Sequence, residues 1–84
     1  MKIFYITFRS VTYAQRGDRI LQEKGIRSIL QRTPKWMEEQ GCGYALRIRA
    51  DSPDRALEIL RRNKVPYKKV YVQQNEGVLE ERML

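Results

Sequence analysis

The chain has no histidine and a single cysteine, Cys42, among its 84 residues. Without histidine there is no imidazole base, no Ser-His or Cys-His nucleophile pair, and no ordinary zinc or iron site. A single cysteine excludes an internal disulfide and any CxxC redox or metal pair, so thiol chemistry must run on one sulfur or pair with another molecule. Acids are scarce as well. Ten Asp and Glu face seventeen Lys and Arg, a formal charge of +7, with a pI near 9.9. No apolar run approaches the roughly 20 residues of a membrane-spanning helix, and mean hydropathy is −0.65. The opening Met1-Lys2-Ile3-Phe4-Tyr5 enters a strand pattern with no apolar export stretch and no small-residue cleavage site, so the expected location is the cytoplasm.

What is present reads as one small folded domain. At this length a chain buries about 60 to 65% of the surface its unfolded form exposes. Hydrophobic residues at 42% and charged residues at 32% are ordinary for a globular protein. The excess of cations, most of them arginine, implies anionic partners: nucleic acid, an acidic protein surface or a small anion.

Residues 2–9 alternate Phe4, Ile6 and Phe8 against Ile3, Tyr5 and Thr7, which predicts a strand with two partly apolar faces. Thr12-Tyr13-Ala14-Gln15 fits a capping box and predicts a helix from about Tyr13, with Tyr13, Ala14, Gly17, Ile20 and Leu21 on its apolar side and Gly25 at its C-terminal cap. Gly17 inside that helix reads as close packing of helix on sheet. Residues 26–32 predict a second strand. Residues 33–41 read as a polar loop or short helical turn bearing the only Trp, Trp36, and 42–50 alternate as a half-buried strand. Ser52-Pro53 opens a second helix with Ala56, Leu57, Ile59 and Leu60 on its apolar face, ending before Val65-Pro66. Residues 67–73 form the last strand, with Val70 and Val72 inward. The reading is therefore one α+β domain over 1–73, a ferredoxin-like βαββαβ sandwich with a four-stranded antiparallel sheet and two helices on one face. Residues 74–84 are expected to be a polar, frayed tail with at most one helical turn at VLEERML.

A sheet ordered 4-1-3-2 gathers the end of strand 1, the start of helix 1, the end of strand 2 and the start of strand 3 at one edge. Arg9, Ser10, Thr12, Arg32, the 33–41 loop and Cys42 are expected there. A helix N-terminus and nearby Arg lower a thiol pKa from about 8.5 towards 7, and Gly41 and Gly43 leave the sulfur uncrowded. A free Cys is equally well explained as a small buried hydrophobe, so both readings of Cys42 stand. On the sheet face the third strand presents Ala45, Arg47 and Arg49 with no aromatic, and the RNP1 pattern is absent, which argues against sequence-specific RNA binding there. Arg47, Arg49, Lys68 and Lys69 are open to non-specific phosphate contact. Trp36-Met37 reads either as a lid or docking handle or as core cover. Adjacent Glu38 and Glu39 match no acid–base pair, and GCG lacks the spacing of a phosphate loop.

The ITFRSVTYA segment, the Gly25-Ile26 turn, Pro34-Lys35 and, most specifically, CGYALRI make the chain resemble the small selenium/sulfur carrier protein-like family of bacteria, over roughly residues 3 to 72. The resemblance implies that Cys42 is the carrier sulfur, held as a persulfide or selenopersulfide, that Gly43 is the glycine following it, and that no cofactor is needed beyond that covalent sulfur or selenium. It implies a donor protein and an acceptor protein as partners, and a carrier rather than an enzyme. Trp36–Gly41 departs from the small, Ser-rich run expected before the cysteine, which bears on partner choice. A second reading is a basic protein- or nucleic-acid-binding module in which Cys42 is structural. For the carrier, nucleic acid and membrane are not expected partners, and a homodimer through the open sheet face is compatible with Tyr5, Tyr71, Arg47 and Arg49.

Overall fold

The computed structural model describes residues 2–33, 43–74 and 78–82. Seven elements follow in order: β1 (Lys2–Phe8), α1 (Val11–Glu23), β2 (Ser28–Arg32), β3 (Tyr44–Ala50), α2 (Asp54–Arg62), β4 (Val70–Gln74) and β5 (Val78–Arg82). The sheet runs β2-β3-β1-β4-β5 with every neighbour antiparallel. Its first four strands and the two helices are the ferredoxin-like βαββαβ arrangement.

Register follows the alternation. Ile6 pairs with Leu46 and Val70, and Phe4 with Ile48 and Val72, so these apolar side chains share the helix-facing side. There they meet Ala14 and Leu21 of α1 and Ala56, Leu57 and Leu60 of α2 in one buried core. Gly17 sits where α1 crosses it. A Cβ at that position would stand 3.2 Å from Leu60, 3.3 Å from Phe8 and 3.4 Å from Leu46, so the glycine lets α1, α2 and the sheet close together. Ser28, buried on β2, donates its hydroxyl hydrogen bond to Asp18 of α1, which also accepts from Gln22 at 3.0 Å.

Five expectations change. The helix starts two residues earlier than the Thr12 capping box implies. Ser10 is the N-cap, extended at φ −136 and ψ 157, and its Oγ accepts from the Tyr13 N–H at 3.3 Å, which leaves Thr12 inside the first turn. Tyr13, placed on the apolar side by periodicity, is 41% exposed. The second strand begins at Ser28 rather than Ile26, because the Ile26 N–H closes the end of α1 on the Leu21 carbonyl at 2.9 Å. The tail expected to fray or turn helical contains β5, whose backbone pairs Val70↔Arg82 through Gln74↔Val78. Without it β4 would present a row of unpaired backbone groups at the sheet edge. At the opening of α2 the N-cap is Pro53, with φ −83 and ψ −4, rather than Ser52, whose Oγ accepts from the Asp54 N–H at 3.2 Å one residue outside it.

Candidate functional site

One edge of the sheet collects five chain ends. β1 finishes there at Phe8, which pairs with Tyr44 at the start of β3, and Tyr44 pairs with Arg32 at the end of β2. Arg9 and Ser10 follow β1 directly into α1. The start of β4 arrives at the same place: the Lys68 N–H donates to the Thr7 carbonyl at 2.8 Å, and the Thr7 N–H donates to the Lys69 carbonyl at 2.9 Å. Antiparallel pairing alone produces this convergence.

Of the predicted site residues, the described ones do gather. Arg9 is exposed at the end of β1, Ser10 caps α1, and Thr12 is exposed on its first turn without a capping role. Arg32 is exposed, with its guanidinium carbon 6.0 Å from the centre of the Tyr44 ring. Gly43 is half-buried, and its carbonyl accepts from the Thr33 N–H at 3.0 Å. Cys42, Gly41, Trp36, Met37, Glu38 and Glu39 lie outside the described residues.

The edge is electropositive by construction. Arg9 and Arg32 supply full charges. The first N–H groups of α1, those of Val11 and Thr12, have no intrahelical acceptor, and together with the helix dipole they favour an anion.

Two features escape the sequence. Thr33 is 8% exposed, and its hydroxyl is buried with no hydrogen-bond partner among the described residues. A buried hydroxyl left unpaired costs about 1–3 kcal/mol, and nothing in the polar string QRTPK distinguishes it from a solvated loop threonine. The second is Lys68 and Lys69, read from alternation as part of a strand. They precede β4 and belong to the edge, because the ladder with β1 becomes regular only from Val70. Among the described residues no group of three or more His, Cys, Asp and Glu could hold a metal ion. No helix there is long and apolar enough to cross a membrane.

A family model described as "Putative Se/S carrier protein-like" matches residues 4–72, which runs from β1 into β4 and leaves β5 outside. No curated protein and no solved structure matches the chain. With most of its length matched, from the first strand to the fourth, the chain belongs to the Se/S carrier protein-like family.

Proposed function

We propose that the protein is a carrier that holds sulfur or selenium covalently on Cys42, as a persulfide or selenopersulfide, between a donor protein and an acceptor protein in the cytoplasm. The observation that supports this reading most is the edge itself. Arg9, Arg32, the Ser10-capped start of α1 and the unpartnered Thr33 hydroxyl converge on the residues that flank the Cys42 segment, Thr33 before it and Gly43 after it.

The loading step balances without an external oxidant. The Cys42 thiolate attacks the outer sulfur of a donor persulfide. A bond forms between Cys42 Sγ and that sulfur, the donor's S–S bond breaks, and the donor leaves as a thiolate. Selenium follows the same course from a donor selenopersulfide. A persulfide is more acidic than a thiol, so positive potential at the edge favours the loaded anion over the unloaded thiol. A carrier of this kind needs no general base of its own, since activation and release belong to its partners. A single thiol suits it, because no second cysteine in the chain can resolve the persulfide.

The test is the rate of Cys42 alkylation by iodoacetamide against pH on the folded protein, followed by loading from a persulfide donor. The expected midpoint lies well below the free-thiol value of about 8.5. Cys42→Ser should abolish loading with the thermal transition unchanged. A thiol that reacts only when the protein unfolds would make Cys42 a core residue and end the carrier reading.

A further inference from the structure

A shallow open groove runs between the first turns of α1 and the connection from α2 into β4. One wall carries Arg9, Tyr13 and Arg16. The facing wall carries Arg61, Lys64 and Tyr67, and Lys68 closes the end nearest β1. The Arg16 Nη2 donates across to the Asn63 carbonyl at 3.5 Å. All five cations are exposed, and no carboxylate lines the groove itself, although Asp54 and Glu58 stand beside Arg61 and Tyr67 in the adjoining hollow. Cations on facing walls repel one another, an arrangement that suits a polyanion lying between them.

The aromatic rings narrow the choice of polyanion. Tyr13 is 41% exposed on the α1 wall, flanked by Arg9 and Arg16. Tyr67, half-buried and packed on the core, is held in place on the other wall. The groove offers ring faces but little to receive an anchoring side chain. Its narrow recess between Arg9, Tyr13 and Tyr67 holds about 50 Å³, and the wider space of about 560 Å³ over Arg16, Arg61 and Lys64 is open and shallow, floored by Val65, which is already buried in the core. Protein partners gain most of their affinity by sinking large side chains into pockets, and this surface has no such pocket. Cations along a groove with rings between them are the equipment of sequence-tolerant single-strand binding. Lys64 adds an independent sign. It holds φ +57, a left-handed conformation that glycine would adopt without strain, and it projects from that turn into the groove.

We propose that this groove binds single-stranded nucleic acid, with bases stacked on Tyr13 and Tyr67 and phosphates held by Arg16, Arg61 and Lys64. The sequence argues against RNA on the sheet face, where the third strand has no aromatic, and makes nucleic acid no expected partner of a carrier; the groove revises that second expectation. The groove lies on the helix side and does not depend on the chemistry of Cys42.

Fluorescence anisotropy of a labelled oligouridylate of about twelve nucleotides, titrated with the full-length protein from about 50 to 200 mM salt, tests it. Three phosphate contacts predict a log–log salt slope of about −2, at roughly −0.7 each. Tyr13→Leu should weaken binding about ten-fold or more with the slope unchanged, since one stacked base is lost. Tyr67→Phe keeps the ring and should stay within about two-fold. Arg61→Gln with Lys64→Gln should flatten the slope by about 1.4, whereas Arg47→Gln with Arg49→Gln, an equal loss of charge on the sheet face, should leave it unchanged. Each of these groove side chains is exposed except Tyr67, so the fold should survive the changes. The proposal falls if the sheet-face pair weakens binding as much as the groove pair. It falls equally if Tyr13→Leu has no effect, or if polyglutamate of matched charge displaces the RNA one for one, which would mark an acidic-protein surface instead.

Discussion

Two threonines at the same edge, both almost fully buried, have opposite fates. Thr7 on β1 is 6% exposed, and its hydroxyl donates to the Lys69 carbonyl at 3.3 Å while accepting from the Lys69 N–H at 3.0 Å. Thr33, just beyond β2, is as buried, and its hydroxyl makes no hydrogen bond among the described residues. The helix ends repeat the contrast. α1 stops at Gly25, with the Gly25 N–H on Gln22 at 3.0 Å and the Ile26 N–H on Leu21 at 2.9 Å. α2 stops by the same pattern, with the Lys64 N–H on Arg61 at 3.1 Å and the Val65 N–H on Leu60 at 2.9 Å. Gly25 reaches its φ of +83 freely, while Lys64 is strained at +57. One member of each pair satisfies the local rule and the other breaks it. Thr33 adjoins the Cys42 segment and Lys64 lines the basic groove. Sequences that specify a fold tend to break local rules where function demands it.

Thr7→Val gives the largest expected effect. It leaves the Lys69 N–H and carbonyl without the hydroxyl and removes the clamp between β1 and the start of β4. The cost should be about 1–3 kcal/mol, a fall of roughly 5–15 °C in melting temperature for a domain of this size. Calorimetry checks it, and a neutral result would mean that the backbone bonds from Thr7 N–H to Lys69 and from Lys68 N–H to Thr7 carry the junction alone.

Gly25→Val comes next. Nothing stands within 4 Å of where its Cβ would lie, so space is not the constraint. The φ is. A β-branched residue there should cost about 1–2 kcal/mol, read from urea midpoints with an unchanged slope. If valine were tolerated, the end of α1 would need no left-handed residue and the contrast with Lys64 would vanish.

Lys64→Gly runs the other way. Relieving the strained φ, less the extra freedom glycine brings to the unfolded chain, should leave a gain of about 0.5 kcal/mol. RNA affinity should fall at the same time. A variant that is more stable and binds less well would show that the strain is retained for the groove.

How far the sequence goes follows from the same contrasts. Alternation of two and periodicity of three to four placed every core strand and helix, because burial of Phe4, Ile6, Leu46, Leu57 and Val70 is a one-body property of apolar residues in sequence. Gly17 as a packing contact and Gly25 as a cap were legible for the same reason: each is decided within one turn or one crossing. The N-cap was misplaced because Ser10 and Thr12 both carry a suitable hydroxyl, and only the extended backbone at Ser10 chooses between them. β5 was missed because VLEER acquires its strand character from the β4 edge beside it. The groove was invisible in the linear chain: Tyr13 and Tyr67 stand 54 positions apart and meet only when β1 and β4 pair. The cation excess announced an anionic partner without saying where, and Thr33 gave no signal, since burial of a loop threonine depends on what folds over it.

Thr33→Val tests whether the broken rule has a purpose, and it has the smallest expected effect on stability. Valine keeps the shape and deletes a hydroxyl with no partner among the described residues, so the melting temperature should hold or rise slightly, against the clear loss expected from Thr7→Val. The carrier reading demands more of it. A hydroxyl held ready for an anionic sulfur would stabilise the thiolate and the persulfide by about as much as a hydrogen bond to a charged group, roughly 1.5 kcal/mol. Deleting it should then raise the midpoint of Cys42 alkylation by about one pH unit and weaken retention of the loaded persulfide about ten-fold. If stability rises while the alkylation profile stays where it was, the hydroxyl serves nothing at the sulfur. The unpaired group would then be a packing cost with no return, and the electrostatic case for Cys42 would rest on Arg9, Arg32 and the α1 terminus alone.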